Sequence, residues 1–169
     1  LGRDALLFDP ELNRPLPDDT AFLYIPGGYP EKHLPSLADA ETTRRSIREY
    51  AERGGRVLAE CGGMMYLCRS VVTDEGEYPM CGVFPYRITA RRADRGLSLG
   101  YRKFTVEGYE FRGHEFHYTQ FMDELPASMV QVCDAQGRNV TTPVFRWKNV
   151  VASYTHLYWG EKEFGILWK

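Results

Sequence analysis

The chain has 169 residues, 43% of them hydrophobic and 26% charged, the balance of one soluble globular domain with enough interior for a core. A formal net charge of −2 removes the electrostatic case for a nucleic-acid partner. The one local basic cluster, Arg91, Arg92 and Arg95, is interrupted by Asp94 and reads as a solvated loop. No apolar run approaches the length that crosses a bilayer, so no membrane partner is expected. The four cysteines, Cys61, Cys68, Cys81 and Cys133, lack the paired spacing of a zinc ribbon or a secreted disulfide framework. Reduced thiols in a cytoplasmic protein are expected. The chain opens at Leu1 with neither a methionine nor a charged-then-apolar leader, which reads as a fragment or a processed chain.

Residues 21–25 form a short apolar run between Pro17-Asp18-Asp19 and Pro26-Gly27-Gly28, the pattern of a buried, parallel-type strand. Residues 36–53 read as one helix, capped by Ser36, with Leu37, Ile47, Tyr50 and Ala51 on its apolar side and Gly54-Gly55 ending it. A second buried strand, 56–59, runs at once into Glu60-Cys61-Gly62-Gly63 and a helical stretch at 64–67. This alternation predicts a parallel α/β sheet. From about residue 80 the chain changes character. Segments 86–88, 104–106, 109–111, 115–118, 144–147 and 150–152, rich in aromatic and β-branched residues, read as largely antiparallel strands. Without repeats or a linker, residues 1–169 are expected to form one domain.

Three segments carry chemistry. In Val57-Leu58-Ala59-Glu60-Cys61-Gly62-Gly63-Met64 a cysteine stands at a strand-to-helix turn, on the sheet edge where open α/β sheets bind ligands. Small residues after it permit the sharp, strained turn of a nucleophile elbow. The helix N-terminus would then stabilise a thiolate, and N–H groups beginning with that of Gly62 could receive an oxyanion. Taken alone, the segment fits equally well a glycine-rich turn that happens to bury a cysteine. The second segment, Ile25-Pro26-Gly27-Gly28-Tyr29-Pro30-Glu31, follows a strand and lets backbone N–H groups reach a site unobstructed. It is not a phosphate-binding loop, since no Gly-x-x-x-x-Gly-Lys-[Ser/Thr] occurs in the chain. In the third, Val150 to Trp159, His156 ends a late apolar strand, where a loop could bring it beside Cys61. His114 and His117 invite a metal reading, but residues three apart on a strand face opposite sides, and no metal is expected.

These motifs, in this order, resemble the class I (triad) glutamine amidotransferases, and more narrowly the glutaminase domain of cobyrinic acid a,c-diamide synthases. The narrower likeness rests on Pro26 to Glu31, Ala59 to Leu67, Leu99-Gly100-Tyr101-Arg102, Arg112 to Thr119, and Thr155-His156-Leu157-Tyr158-Trp159. It implies a flavodoxin-like α/β fold: a mostly parallel central sheet, helices on both faces and further antiparallel strands in the C-terminal half. It implies Cys61 as nucleophile and His156 as its base, with Gly62 and the Gly27-Gly28 turn forming the oxyanion hole. The backbone of His117, Tyr118 and Thr119 is similar in position to the strand that grips substrate in related enzymes. The implied partners are L-glutamine and an N-terminal synthetase domain, which would carry ATP, magnesium and a corrinoid tetrapyrrole. No cofactor is expected in this domain. Tyr158 stands where the larger class usually has Glu, and Met65 where it often has Gln. The resemblance also implies that the chain begins after the family's first glutaminase strand. Another tetrapyrrole substrate, a stand-alone cysteine hydrolase and a non-catalytic scaffold domain remain open.

Overall fold

The computed structural model describes residues 5–160 and 164–169. In chain order it runs through β1 (Leu23–Ile25), α1 (Leu34–Asp39), α2 (Glu41–Glu52), β2 (Val57–Glu60) and α3 (Gly62–Leu67). There follow β3 (Ser70–Val72), β4 (Glu77–Pro79), β5 (Arg87–Thr89), β6 (Ser98–Val106), β7 (Tyr109–His117) and β8 (Gln120–Phe121). The last strands are β9 (Val144–Trp147), β10 (Val150–Ser153) and β11 (His156–Leu157), and a 3₁₀ turn spans Phe164–Trp168.

The central sheet has the order β1-β2-β10-β9. Its first three strands are parallel and β9 is antiparallel at the edge. Every position of β2 and β10 is buried, which explains why both read as continuous apolar runs rather than alternating ones. Side chains alternate between two cores. Val57, Ala59, Val150 and Ala152 pack against Leu37, Ile47, Met64 and Leu67 of the three α-helices. Leu58 and Val151 pack on the other side, with Phe104, Phe111, Ile166 and Leu167. That second face is covered by the β6–β7 hairpin and the 3₁₀ turn, where a further helical layer was expected. The two other sheets are β11-β7-β6 and β4-β3-β5-β8.

The helix expected over 36–53 is two helices, broken at Ala40, whose backbone (φ −76°, ψ 59°) is not helical. Ser36 caps neither. It lies inside α1, where its hydroxyl bonds the His33 carbonyl (3.0 Å) and the Glu11 carboxylate. The end of α2 is as read. Gly54 takes φ 86°, and the N–H groups of Gly55 and Gly54 donate to the carbonyls of Tyr50 (2.9 Å) and Ala51 (3.0 Å), a Schellman closure.

The segments read as 104–106, 109–111 and 115–118 merge into one long hairpin, nine residues a side. Gly113 lies in the gap between the segments read as 109–111 and 115–118. It is a point of close approach, because a Cβ there would stand 2.1 Å from the His156 carbonyl oxygen of the neighbouring strand.

Candidate active site

The first two parallel strands and β10 deliver their C-terminal ends to one edge of the sheet. There Cys61, between β2 and α3, adopts φ 47° and ψ −109°, a strained conformation for a residue with a side chain. Two hydrogen bonds hold it: its N–H donates to the Ser153 carbonyl (2.8 Å), and its own carbonyl accepts from Met65 (3.0 Å). A Cβ on Gly63 would lie 2.2 Å from the Ile25 carbonyl oxygen, and one on Gly62 would lie 2.6 Å from that of Gly28. The glycines after Cys61 are therefore what lets α3 approach the turn that follows β1.

His156 reaches the same turn. β11 pairs with β7, setting His156 opposite His114. A Cβ on Gly27 would fall 2.0 Å from the imidazole Cε1 of His156, so the ring lies directly against the Gly27 backbone. Gly27-Gly28, Cys61-Gly62 and His156 thus converge, although no hydrogen bond joins Cys61 to His156 among the described residues. The His156 ring also stacks on His114, with centroids 5.0 Å apart. Its pKa is lowered from the ordinary histidine value by partial burial and by the neighbouring His114 and His117, against a smaller opposing pull from Glu115. At neutral pH it is a free base, ready to accept a proton.

Burial pushes the Cys61 thiol up to about 11. The Gly62 N–H works against this, and the acidic Glu31, Glu115 and Glu60 add to it. The expected resting thiolate is corrected here. The helix it was to lean on is only six residues long, and desolvation outweighs the single N–H. Alkylation of Cys61 by iodoacetamide, followed by mass spectrometry, should accordingly rise about tenfold per pH unit from 7 to 9 and still be rising at pH 10. A plateau below pH 8 would contradict this ordering of effects.

His117 and Thr119 use their side chains for packing. The His117 ring stacks on Tyr154 at 3.7 Å between centroids, and its Nδ1 lies 2.9 Å from the Thr119 carbonyl. The Thr119 hydroxyl meets the Tyr154 hydroxyl (3.0 Å) and the Met65 sulfur (3.5 Å). Tyr118 is exposed. Any grip on a ligand along this stretch falls to the backbone and to Tyr118. His114 and His117 turn to different rings, those of His156 and Tyr154. Among the described residues, no three His, Cys, Asp or Glu side chains are grouped to hold a metal.

Two carboxylates escaped the sequence reading. Glu115, fully buried, accepts hydrogen bonds from Ser98 (2.9 Å), Arg102 (3.0 Å), Thr142 (2.9 Å) and Thr155 (3.2 Å). Glu60 accepts from the Tyr24 hydroxyl (2.9 Å) and from the Leu157 N–H (3.2 Å). Burial raises its pKa to about 7 despite both bonds. The available signal was an acidic residue closing an otherwise apolar strand, immediately before the cysteine.

The chain is 38% identical over 164 residues to the hydrogenobyrinate a,c-diamide synthase of Rhizobium meliloti, covering 92% of this chain and 38% of the relative. It is 34% identical over 169 residues to the cobyrinate a,c-diamide synthase of Priestia megaterium, covering 94% and 36%. It thus spans little more than a third of the length of these relatives. Among solved structures, a crystal structure of a glutamine amidotransferase superposes with a TM-score of 0.54 at 20% identity, covering 82% of this chain and 71% of that one, and shares its fold. Residues 2–164 match the CobB/CobQ-like glutamine amidotransferase domain, and the chain belongs to that family.

Proposed function

We propose that residues 1–169 are the glutaminase domain of an ATP-dependent amide synthetase. It hydrolyses L-glutamine at Cys61 and supplies ammonia for a,c-diamidation of cobyrinic or hydrogenobyrinic acid. The observation that carries the reading is the strained elbow at Cys61, with its glycines seated on the Gly27-Gly28 turn that also holds His156. The relatives' names support the acceptor, and their greater length supports a synthetase portion that brings ATP, magnesium and the corrinoid. A cytoplasmic setting fits the four free cysteines. No helix among the described residues is long and apolar enough to cross a membrane.

In this reading neutral His156 takes the Cys61 thiol proton as the sulfur adds to the carboxamide carbon of glutamine. The oxyanion is received by the Gly62 and Gly28 N–H groups, each contributing roughly 3–4 kcal/mol by analogy with other hydrolases. His156 passes its proton to the departing ammonia, leaving a glutamyl thioester. It then takes a proton from the water that attacks this thioester and returns it to the sulfur as glutamate leaves. The backbone of His117, Tyr118 and Thr119 positions the substrate.

Incubation with L-glutamine should release glutamate and ammonia in equal amounts, slowly for the isolated chain, because a synthetase partner would complete or gate the site. Calorimetry should register no ATP binding. Hydrolysis of a chromogenic peptide or ester, with glutamine untouched, would assign the fold to a different hydrolase.

A further inference from the structure

We propose that Glu60 is a positioning residue for His156, tying the segment that carries the base to the strand that carries the nucleophile. The inference rests on the glutaminase reading above only for its kinetic consequence. The imidazole lies against the Gly27 backbone and stacks on His114, contacts that are not hydrogen bonds to its ring nitrogens. The segment is fixed by the pairing of β11 with β7 and by hydrogen bonds to two buried carboxylates. Leu157, the next residue, donates its N–H to Glu60 Oε1 at 3.2 Å. Thr155, the preceding residue, donates its hydroxyl to Glu115 Oε1 at 3.2 Å. Buried carboxylates therefore bracket His156.

The two are not equivalent. Glu115 also joins Ser98, Arg102 and Thr142, a hub that holds the hairpin together. Glu60 has two hydrogen-bond partners among the described residues, the Leu157 N–H and the Tyr24 hydroxyl. Tyr24 in turn meets Trp159 edge-to-face at 4.9 Å, a second contact with the chain just past His156. Placing an acidic side chain at 2% exposure in an apolar strand is costly unless it is fully hydrogen-bonded. An apolar residue would serve the core there at least as well. Tyr158, two residues beyond His156, is 77% exposed, so its side chain does not brace the ring.

The test compares wild type with Glu60→Leu and Glu60→Gln, the latter keeping an oxygen for the Leu157 N–H. The first readout is independent of activity. With only four histidines in the chain, the His156 Cε1 proton can be assigned by NMR. Its shift and titration midpoint should move in Glu60→Leu and return in Glu60→Gln. The second readout is kinetic. Glu60→Leu should lower kcat about 10²-fold, the usual consequence of a small displacement of a reacting group, with KM for glutamine within about twofold. Glu60→Gln should recover most of it. An unmoved His156 resonance in Glu60→Leu, or an equal kcat loss in both variants, would overturn the proposal. Wild type inactive on glutamine, with the His156 resonance still responding to residue 60, would instead remove the glutaminase reading and leave the positioning role standing. If Glu60→Leu fails to fold, Glu60→Ala takes its place: a His156 titration displaced in Glu60→Ala and restored in Glu60→Gln supports the role, and one unmoved in Glu60→Ala overturns it.

Discussion

Cys61→Ala is expected to abolish glutamate release, a fall of about 10⁵-fold or more, on the scale seen when a hydrolase loses its nucleophile. The fold should survive. Cys61 is 6% exposed, but alanine keeps the Cβ, and the strained φ of 47° is imposed by backbone bonds to Ser153 and Met65 that do not involve sulfur. Removing one buried atom should change stability by about 1 kcal/mol. Cys68→Ala and Cys81→Ala remove sulfurs from the packed core and should lower the melting temperature comparably, yet retain turnover. A coupled glutamate assay beside thermal melts separates these outcomes. Glutaminase activity surviving in Cys61→Ala would sink the assignment of the nucleophile.

His156→Ala carries the second-largest expected effect, about 10³-fold in kcat, within the usual range for loss of a positioned general base. Because burial and the neighbouring histidines lower the His156 pKa, the ring is neutral through the physiological range. The acid limb of kcat/KM in wild type should therefore lie below the ordinary histidine midpoint, and it should be absent from the residual activity of the variant. Cys61 should still be alkylated in His156→Ala, with the same steep rise with pH, because a thiol pushed up to about 11 loses its proton to solvent and not to a resting imidazole whose pKa is lowered. Turnover in His156→Ala within tenfold of wild type, or an acid limb that persists in the variant, would show that His156 does not serve Cys61. The variant also removes the ring from the face of Gly27. A small stability change is expected, but not one large enough to mimic a 10³-fold loss.

What the sequence determined by itself was local. The runs read at 56–59 and 150–152, which fold as strands 57–60 and 150–153, are apolar at nearly every position because a central parallel strand is buried on both faces, and Gly54-Gly55 ends α2 because one residue must take a left-handed backbone. The elbow was legible for the same reason: Cys61-Gly62-Gly63 after a buried strand states a sharp turn in consecutive residues. Even so, which carbonyls require those glycines, Ile25 for Gly63 and Gly28 for Gly62, depends on a segment more than thirty residues away. The long hairpin was read as separate segments, with Gly113 in the gap between 109–111 and 115–118. Only the third dimension shows the His156 backbone occupying the space a Cβ would need. The Cys61 thiol went the other way from expectation, since a helix N-terminus is visible in sequence while desolvation and the nearness of Glu31, Glu60 and Glu115 are not. Glu60 makes the same point most directly. Its partners Tyr24 and Leu157 are 36 and 97 residues distant, and a hydrogen bond that closes so long a loop leaves no periodicity or spacing to read. Local backbone preference is written in neighbouring residues, whereas the partner and the charge state of a buried side chain are set by whatever the folded chain brings beside it.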